Sequence, residues 1–224
     1  DTLGKPLSHY RIATAVLRLS RVIQRQSPER NVGILLPASG GGAIANMAAL
    51  VAGKTVVNLN FTASQQAIVS ALDKAEIRSI YTSRRFMDRL QKKGVDLSHL
   101  SDHAEIYYLE DIVQAMGRVA SLLMLTAVVV LPVWVLRALF VARRSRDDNA
   151  AILFSSGSEG EPKGVELTHG NFMANLTQVS DVLDTQADDR VMATLPLFHA
   201  FGLTVTTFMP LVEGIPMICH PDPT

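Results

Sequence analysis

The sequence predicts an α/β protein in which a mostly parallel sheet carries helices on both faces and is interrupted by an apolar helical insertion. Three observations support this fold class. Short β-branched runs alternate with segments whose apolar residues recur at helical spacing. The links between them are short, which is typical of a strand-and-helix repeat. One long stretch near the middle of the chain is apolar and uncharged.

Composition sets the outer limits. The chain has 224 residues and is 48% hydrophobic, enough to build a core. Its 21 basic and 21 acidic residues cancel, so no whole-chain field would attract nucleic acid. The single cysteine, Cys219, excludes an internal disulfide and fits a reducing compartment. Because residues 221–224 add no closing element, we expect the chain to be part of a longer protein.

The alternation is clearest in the first part of the chain. The predicted elements are a helix at 8–25, a strand at 32–36, a helix at 43–52, a strand at 55–59, a helix at 63–74 and a strand at 79–82. Gly40 to Gly42 precede the second helix, but Ala45 stands where a dinucleotide fingerprint needs its last glycine. We therefore predict a tight turn with close helix packing at these glycines.

The apolar stretch covers residues 119–136 without a charge and continues past Arg137. A helix over the first 18 of these residues would be about 27 Å long, close to the thickness of the hydrocarbon layer. Pro132 should kink it, and the arginines at 143, 144 and 146 follow. Three interpretations stay open: a helical hairpin on a membrane surface, a short span, and a buried core helix. The predicted organisation is 1–117, a helical insertion at 118–146, and 147–224.

The most informative segment is the loop that follows the predicted strand at 150–154. It offers the hydroxyls of three serines, three glycines that free the backbone, and one lysine, which together suit a polyphosphate. The candidate binding residues are Ser155, Ser156, Gly157, Ser158, Glu159, Gly160 and Lys163. A Walker loop is excluded, because counting from Gly157 puts Pro162 where its second glycine belongs. The alternative is a solvated Ser/Gly linker.

Two further segments follow the loop. Residues 167–171 read Leu-Thr-His-Gly-Asn and should open a helix, with Thr168 as its cap. His169 in this segment suits a structural role as well as a ligand contact. Residues 196–202 read Pro-Leu-Phe-His-Ala-Phe-Gly and should follow a short strand. There His199 lies between Phe198 and Phe201, which makes it a candidate functional residue.

These three segments resemble the adenylate-forming superfamily of acyl-CoA synthetases, luciferases and peptide-synthetase adenylation domains. Every specified position of that superfamily's phosphate loop is matched between Ser155 and Gly164. The resemblance implies the N-terminal portion of the adenylate-forming fold, with ATP and Mg²⁺ as cofactors. It implies that Lys163 and His199 act in catalysis: Lys163 on the phosphates, and His199 in positioning the acyl carboxylate, with proton transfer as a weaker role. The other loop residues would bind the nucleotide, and no metal ligand is assigned within this chain.

Within the superfamily, the loop variant and the Pro-Leu-Phe-His sequel are most similar to the acyl-acyl-carrier-protein synthetases of bacterial lysophospholipid recycling. That resemblance implies a fatty acid, an acyl-carrier protein or CoA, and a membrane lipid or lysophospholipid as partners, at the cytoplasmic face of the bacterial inner membrane. An ordinary long-chain acyl-CoA synthetase and a degenerate ligase domain serving as a membrane scaffold stay open. The superfamily's magnesium-binding glutamate and C-terminal lysine do not occur here, so we expect this chain alone to be inactive.

Overall fold

The computed structural model describes residues 6–155, 162–186 and 188–220. The strands are β1 (Asn31–Leu35), β2 (Thr55–Asn58), β3 (Ser79–Thr82), β4 (Glu105–Tyr108), β5 (Asn149–Ser155), β6 (Lys163–Thr168), β7 (Val191–Ala193) and β8 (Met217–Cys219). The helices are α1 (His9–Gln26), α2 (Gly40–Val51), α3 (Gln65–Lys74), α4 (Arg84–Lys92), α5 (Leu109–Ala115), α6 (Arg118–Val130), α7 (Val133–Phe140), α8 (His169–Leu183), α9 (Ala200–Leu203) and α10 (Met209–Glu213). A 3₁₀ turn covers Ser98–Asp102, and a π-helical segment, Thr204–Phe208, joins α9 to α10.

Six strands form the main sheet in the order β4-β3-β1-β2-β5-β6. All neighbours are parallel except β5 and β6, which pair antiparallel. β7 and β8 form a separate parallel pair. The predicted mostly parallel sheet is thus confirmed. The central strands β1 to β3 are almost continuously buried, as expected where helices cover both faces.

Two apolar clusters cover the two faces of this sheet. One joins the strands to α1, α2, α8 and the π-helical segment, with Ile23, Ala48, Phe172 and Phe208 among its members. The other joins them to α3, α4 and the 3₁₀ turn. The helices predicted at 8–25, 43–52 and 63–74 correspond to α1, α2 and α3. Each begins after a serine whose hydroxyl accepts a backbone N–H of the first turn.

The apolar insertion forms two helices instead of one. α6 ends at Val130 and α7 begins at Val133, so the helix is broken at Pro132, where a kink was predicted. In α6 only Val128 is buried, and α7 has no buried residue. Within the described part of the chain, the insertion is therefore not a buried core helix. No single described helix is both long and apolar enough to cross a bilayer; α5 and α6 reach that size only together, with a bend of 89° between them.

α1 holds this pair of helices on the body of the protein through two arginines. The Arg18 guanidinium donates to the Ser121 hydroxyl and, at 2.7 Å, to the Met116 carbonyl. Arg21 donates to the Leu139 carbonyl at 3.1 Å, and its guanidinium lies 4.6 Å from the Phe140 ring centre. Polar contacts therefore fix the two ends of the insertion, while its apolar side chains stay largely exposed.

Of the three glycines at the start of α2, Gly42 allows the close packing that was predicted. Ser39 caps the helix, and its hydroxyl accepts the Gly42 N–H at 3.1 Å. A Cβ at position 42 would lie 2.5 Å from the Pro37 carbonyl oxygen and 2.6 Å from a Leu197 methyl. Only glycine lets the first turn of α2 approach the 196–202 segment this closely.

Substitution at this contact should be costly. We expect Gly42→Ala to lower the free energy of unfolding by about 1 to 3 kcal/mol through overpacking. The matched control is Gly41→Ala in the same helical turn, where the nearest neighbouring atom would be the Ser39 hydroxyl at 3.7 Å. That variant should be neutral or more stable, because alanine favours helix over glycine. Urea unfolding of both variants measures the difference, and equal stability would contradict the packing argument.

Candidate functional site

The predicted phosphate loop is the connection of a β-hairpin. β5 runs out of the sheet to Ser155, and β6 returns antiparallel from Lys163, so that these two residues lie directly opposite each other. A strand, β6, therefore stands between the loop and α8, where the sequence analysis assigned no strand. Ser156, Gly157, Ser158, Glu159 and Gly160 lie outside the described residues. Ser155 and Lys163 mark the two ends of the connection, and both are exposed.

Two contacts fix the return strand of this hairpin. A Cβ on Gly164 would lie 3.1 Å from Ile152 and 3.2 Å from the Phe154 ring, so β6 lies close against the side chains of β5. From α3, the Lys74 ammonium donates to the Pro162 carbonyl at 3.1 Å. Pro162 itself is buried. The backbone immediately before Lys163 is thus held by α3, which fixes the position of the Lys163 backbone.

Lys163 is the exposed cation of the hairpin. Its ammonium has no hydrogen bond or ion pair within the described part of the chain. The geometry suits an anion in the loop, because a lysine carries a point charge with three donors.

A cavity of about 260 Å³ lies beside the hairpin, at the carboxyl ends of β2 and β5. It is lined by the segment from Asn58 to Ser64, by α3, and by Phe154, Ser155 and Pro162. Asn58 is held there by a reciprocal amide pair with Asn46 of α2, at 2.8 and 3.1 Å. In parallel sheets such crevices beyond the carboxyl ends of the strands are the usual ligand-binding places.

The helix after the hairpin begins with the predicted cap. The Thr168 hydroxyl accepts the Asn171 N–H at 3.1 Å, and the Asn171 side chain accepts the Thr168 N–H at 2.9 Å. The two residues therefore form a capping box, in which each side chain accepts the backbone N–H of the other residue. Burial lowers the pKa of His169; Asp148 opposes this shift and Arg144 adds to it. The arrangement favours the structural role considered for this segment.

The 196–202 segment follows the short strand β7, as predicted. Leu197 and Phe198 are buried, and the Phe198 ring meets that of Phe61 edge-on at 5.2 Å. A Cβ on Gly202 would lie 2.3 Å from the Pro196 carbonyl oxygen, so this turn also requires glycine. The π-helical segment follows, and Thr206 and Thr207 both donate to the Gly202 carbonyl, at 2.9 and 2.8 Å.

His199 is exposed at the start of α9. Its backbone N–H donates to Pro196 at 3.1 Å, and its carbonyl accepts the Leu203 N–H at 2.9 Å. The ring centre lies 4.7 Å from that of Phe198, and the imidazole makes no hydrogen bond within the described residues. Phe201, on the other side, is 57% exposed. The two aromatic neighbours thus differ: one anchors the turn in the core and the other faces outward.

The structure links these segments through the loop after β2. Phe61 touches Phe198, and its neighbours Asn60 and Ala63 line the cavity beside Ser155. Sequence reasoning missed this loop, the Asn46–Asn58 pair and Lys74. The two asparagines within otherwise apolar elements were a usable signal, since buried amides need partners.

The comparisons with known proteins concern the family and the fold. The model of the family described as "AMP-binding enzyme" matches residues 2–224. The chain therefore belongs to the AMP-binding enzyme family.

Several curated relatives are ligases. A sulfoacetate–CoA ligase of Cupriavidus necator is 50% identical over 68 residues, which are 30% of this chain and 13% of that protein. A chloroplastic long-chain-fatty-acid–[acyl-carrier-protein] ligase of Arabidopsis thaliana is 44% identical over 25% of this chain and 8% of its own length. A long-chain-fatty-acid–CoA ligase of Mycobacterium tuberculosis is 35% identical over 34% of this chain and 15% of its own length. The chain matches only a small part of each relative.

Solved structures share the fold. ATP-bound MatB from Rhodopseudomonas palustris superimposes with a TM-score of 0.72 at 22% identity, covering 98% of this chain and 41% of that one. The o-succinylbenzoate CoA synthetase of Bacillus subtilis, in complex with an acyl-adenylate intermediate, gives 0.74 at 19% identity over 95% of this chain and 49% of that one. Both likenesses concern the fold alone.

The Lys74 contact can be tested on the hairpin itself. We expect Lys74→Met to speed amide hydrogen exchange at Gly164 and Val165 by about 5-fold, since a hydrogen bond of this kind is worth about 1 kcal/mol. Lys92→Met at the exposed end of α4 removes the same charge away from the hairpin and is the control. Unchanged exchange in the Lys74 variant would show that the bond does not hold the strand.

Proposed function

We propose that the complete protein activates a long-chain fatty acid with ATP through an acyl-adenylate and passes the acyl group to the thiol of an acyl-carrier protein, for reacylation of a lysophospholipid. One observation carries the proposal. Ser155 and Lys163 stand opposite each other at the two ends of a serine- and glycine-rich connection, at the carboxyl edge of a parallel sheet. A hydroxyl, backbone N–H groups and a cation at this edge suit a triphosphate.

In the first step the acyl carboxylate oxygen bonds to the α-phosphorus, and pyrophosphate leaves with the electron pair of the broken bond. In the second, the thiol sulfur attacks the acyl carbonyl, loses its proton, and expels AMP. Negative charge grows on the departing pyrophosphate in the first step. The backbone of Lys163 is fixed at the start of β6, so its ammonium is available at the loop to stabilise that charge.

Magnesium is expected with ATP, but no group of three or more His, Cys, Asp or Glu that could hold a metal occurs among the described residues. Mg²⁺ is usually held by one or two carboxylates together with substrate phosphates, so ATP itself would supply part of its ligands.

The choice of substrate is supported by the named relatives. Two of those described above are ligases of long-chain fatty acids, one using an acyl-carrier protein and one CoA. CoA as the acceptor is therefore the second candidate, favoured by the several CoA ligases among the relatives. Incubating the complete protein with fatty acid, ATP and each thiol separately, followed by mass spectrometry of the thioester, distinguishes the acceptors. A protein that forms neither thioester nor adenylate would instead be a scaffold.

We further propose that α6 and α7 contact the cytoplasmic face of the bacterial inner membrane, where fatty acids and lysophospholipids reside. The support is their exposed apolar surface. Leu122, Leu123, Val130, Val133 and Trp134 are each between 64% and 80% exposed. Exposed apolar side chains in this number mark an interaction surface.

The role of Lys163 predicts a rate effect. Lys163→Ala in the complete protein should slow adenylate formation by about 100- to 1,000-fold, the cost of removing a preorganised electrostatic contact. Fatty-acid-dependent pyrophosphate exchange measures this step. Lys92→Ala, the same change at an exposed position on α4, should leave the rate unaltered. Undiminished exchange in the Lys163 variant would remove the lysine from the site.

The role of His199 predicts a split between substrates. Because the imidazole is exposed and caps nothing, His199→Ala should preserve the fold, lower adenylation of the fatty acid and leave ATP affinity nearly unchanged. Calorimetric ATP binding and adenylate formation at saturating ATP are measured separately, with His9→Ala as the control for an exposed histidine. Loss of ATP affinity with normal adenylation would instead assign His199 to the nucleotide.

A further inference from the structure

A groove distinct from the hairpin lies between α7 and the body of the protein, with a volume of about 640 Å³. One wall is α7 with the segment that follows it, and the other comprises Leu50 of α2 and His169 of α8. Its polar lining is dominated by guanidinium groups. The arginines on it are Arg137, Arg143, Arg144 and Arg146.

Backbone bonds at both ends hold this groove in shape. The Ala142 N–H donates to the Val51 carbonyl at 2.9 Å, which ties the exit of α7 to α2. At the other end, the Gly170 N–H donates to the Arg146 carbonyl at 2.7 Å, which ties the segment to α8. Between them, Arg144 donates through Nε to the Gly53 carbonyl at 2.9 Å. The groove is therefore built by the fold.

The positive charge of the groove is largely uncompensated. Arg144 is occupied by Gly53 and lies 4.0 Å from Asp148. In contrast, the guanidinium groups of Arg137, Arg143 and Arg146 have no hydrogen bond or ion pair to the described residues. No Asp or Glu is among the described residues that line the groove. Three exposed guanidinium groups thus face an opening that holds no carboxylate.

An exposed apolar surface adjoins the arginines of the groove. Trp134, on the groove wall, is 73% exposed, and Val133 beside it is 80% exposed. α6, which carries further exposed apolar residues, is bound to the same helix as α7: Arg18 and Arg21 of α1 donate to Ser121 and to the Leu139 carbonyl. A ligand that satisfies both parts must therefore carry an anionic head next to a hydrocarbon layer.

We propose that the groove binds the phosphate headgroup of an anionic phospholipid in a bilayer, with α7 lying in the interface. Guanidinium groups bind phosphate in bidentate fashion, and tryptophan favours the boundary between headgroups and acyl chains. The inference rests on the membrane contact proposed above and adds to it a headgroup site with its own residues. Charge complementarity identifies the occupant, since a soluble phosphate would leave the neighbouring apolar helix exposed to water.

The test uses Trp134, which is the only tryptophan of the chain and therefore reports on this face directly. The full chain is titrated with vesicles of phosphatidylcholine alone and with vesicles that also contain phosphatidylglycerol, and the fluorescence shift is recorded. The variant is Arg143→Gln with Arg146→Gln. The control is Arg85→Gln with Lys92→Gln, the same charge change at exposed positions of α4 on the opposite face of the sheet. Circular dichroism verifies the fold of both.

We expect the protein to prefer the anionic vesicles, and the double variant to lose roughly 25-fold in affinity for them, or about 5-fold for each arginine. Binding of the variant to neutral vesicles, and all binding of the control, should stay unchanged. Equal losses in variant and control would mean that only net charge matters, and would overturn the headgroup site while leaving the membrane contact intact. Failure to bind either vesicle would overturn both. Saturation by free inorganic phosphate at constant ionic strength, without competition from vesicles, would also overturn the proposal.

Discussion

The antiparallel pairing of β5 with β6 is the constraint on which the candidate site depends. Every other pairing in the main sheet is parallel, so its strands end at one edge and their connections leave through helices. β6 alone turns back directly, and it returns the chain from the edge where the other strands end. The serine- and glycine-rich segment is consequently held at both ends by one ladder of hydrogen bonds. Its terminal residues, Ser155 and Lys163, cannot move independently of each other.

This pairing also explains which parts of the fold could be predicted from the sequence. The buried strands β1, β2, β3 and β5 have apolar residues at their centres, and such segments are recognisable because both faces of the sheet are covered. β6 contains Lys163, Gly164 and Glu166 and is exposed over most of its length. Its charges are typical of an edge strand, which has one neighbour and little to bury. The same composition in isolation resembles a loop, and for that reason the strand was missed.

For the candidate site, motif spacing predicted the segments but not the residues elsewhere in the chain that hold these segments in place. The Thr168 cap and the turn at 196–202 could be predicted because their side chains and glycines act on neighbouring residues. Lys74 and Phe61 act over long distances in sequence, through Pro162 and Phe198, and nothing local distinguishes them. The exposure of α6 and α7 likewise depends on what the rest of the chain leaves uncovered. The sequence of an apolar helix does not show whether the helix is surrounded by protein or by another apolar medium.

The π-helical segment Thr204–Phe208 has a consequence for how the end of the chain is oriented. Here the Met209 N–H bonds to the Thr204 carbonyl, five residues back, and all five residues of the segment are buried. A wider turn of this kind holds one residue more than an α-helical turn, which rotates everything beyond it by about 100° around the helix axis. The rotation sets the angular phase of Met209 and α10 relative to the turn that carries His199. If this segment were one residue shorter, the helix would return to regular α-helical winding. The side chains of α10 would then point in different directions relative to the turn that carries His199. The length of this segment is therefore as specific a feature as any single side chain on it.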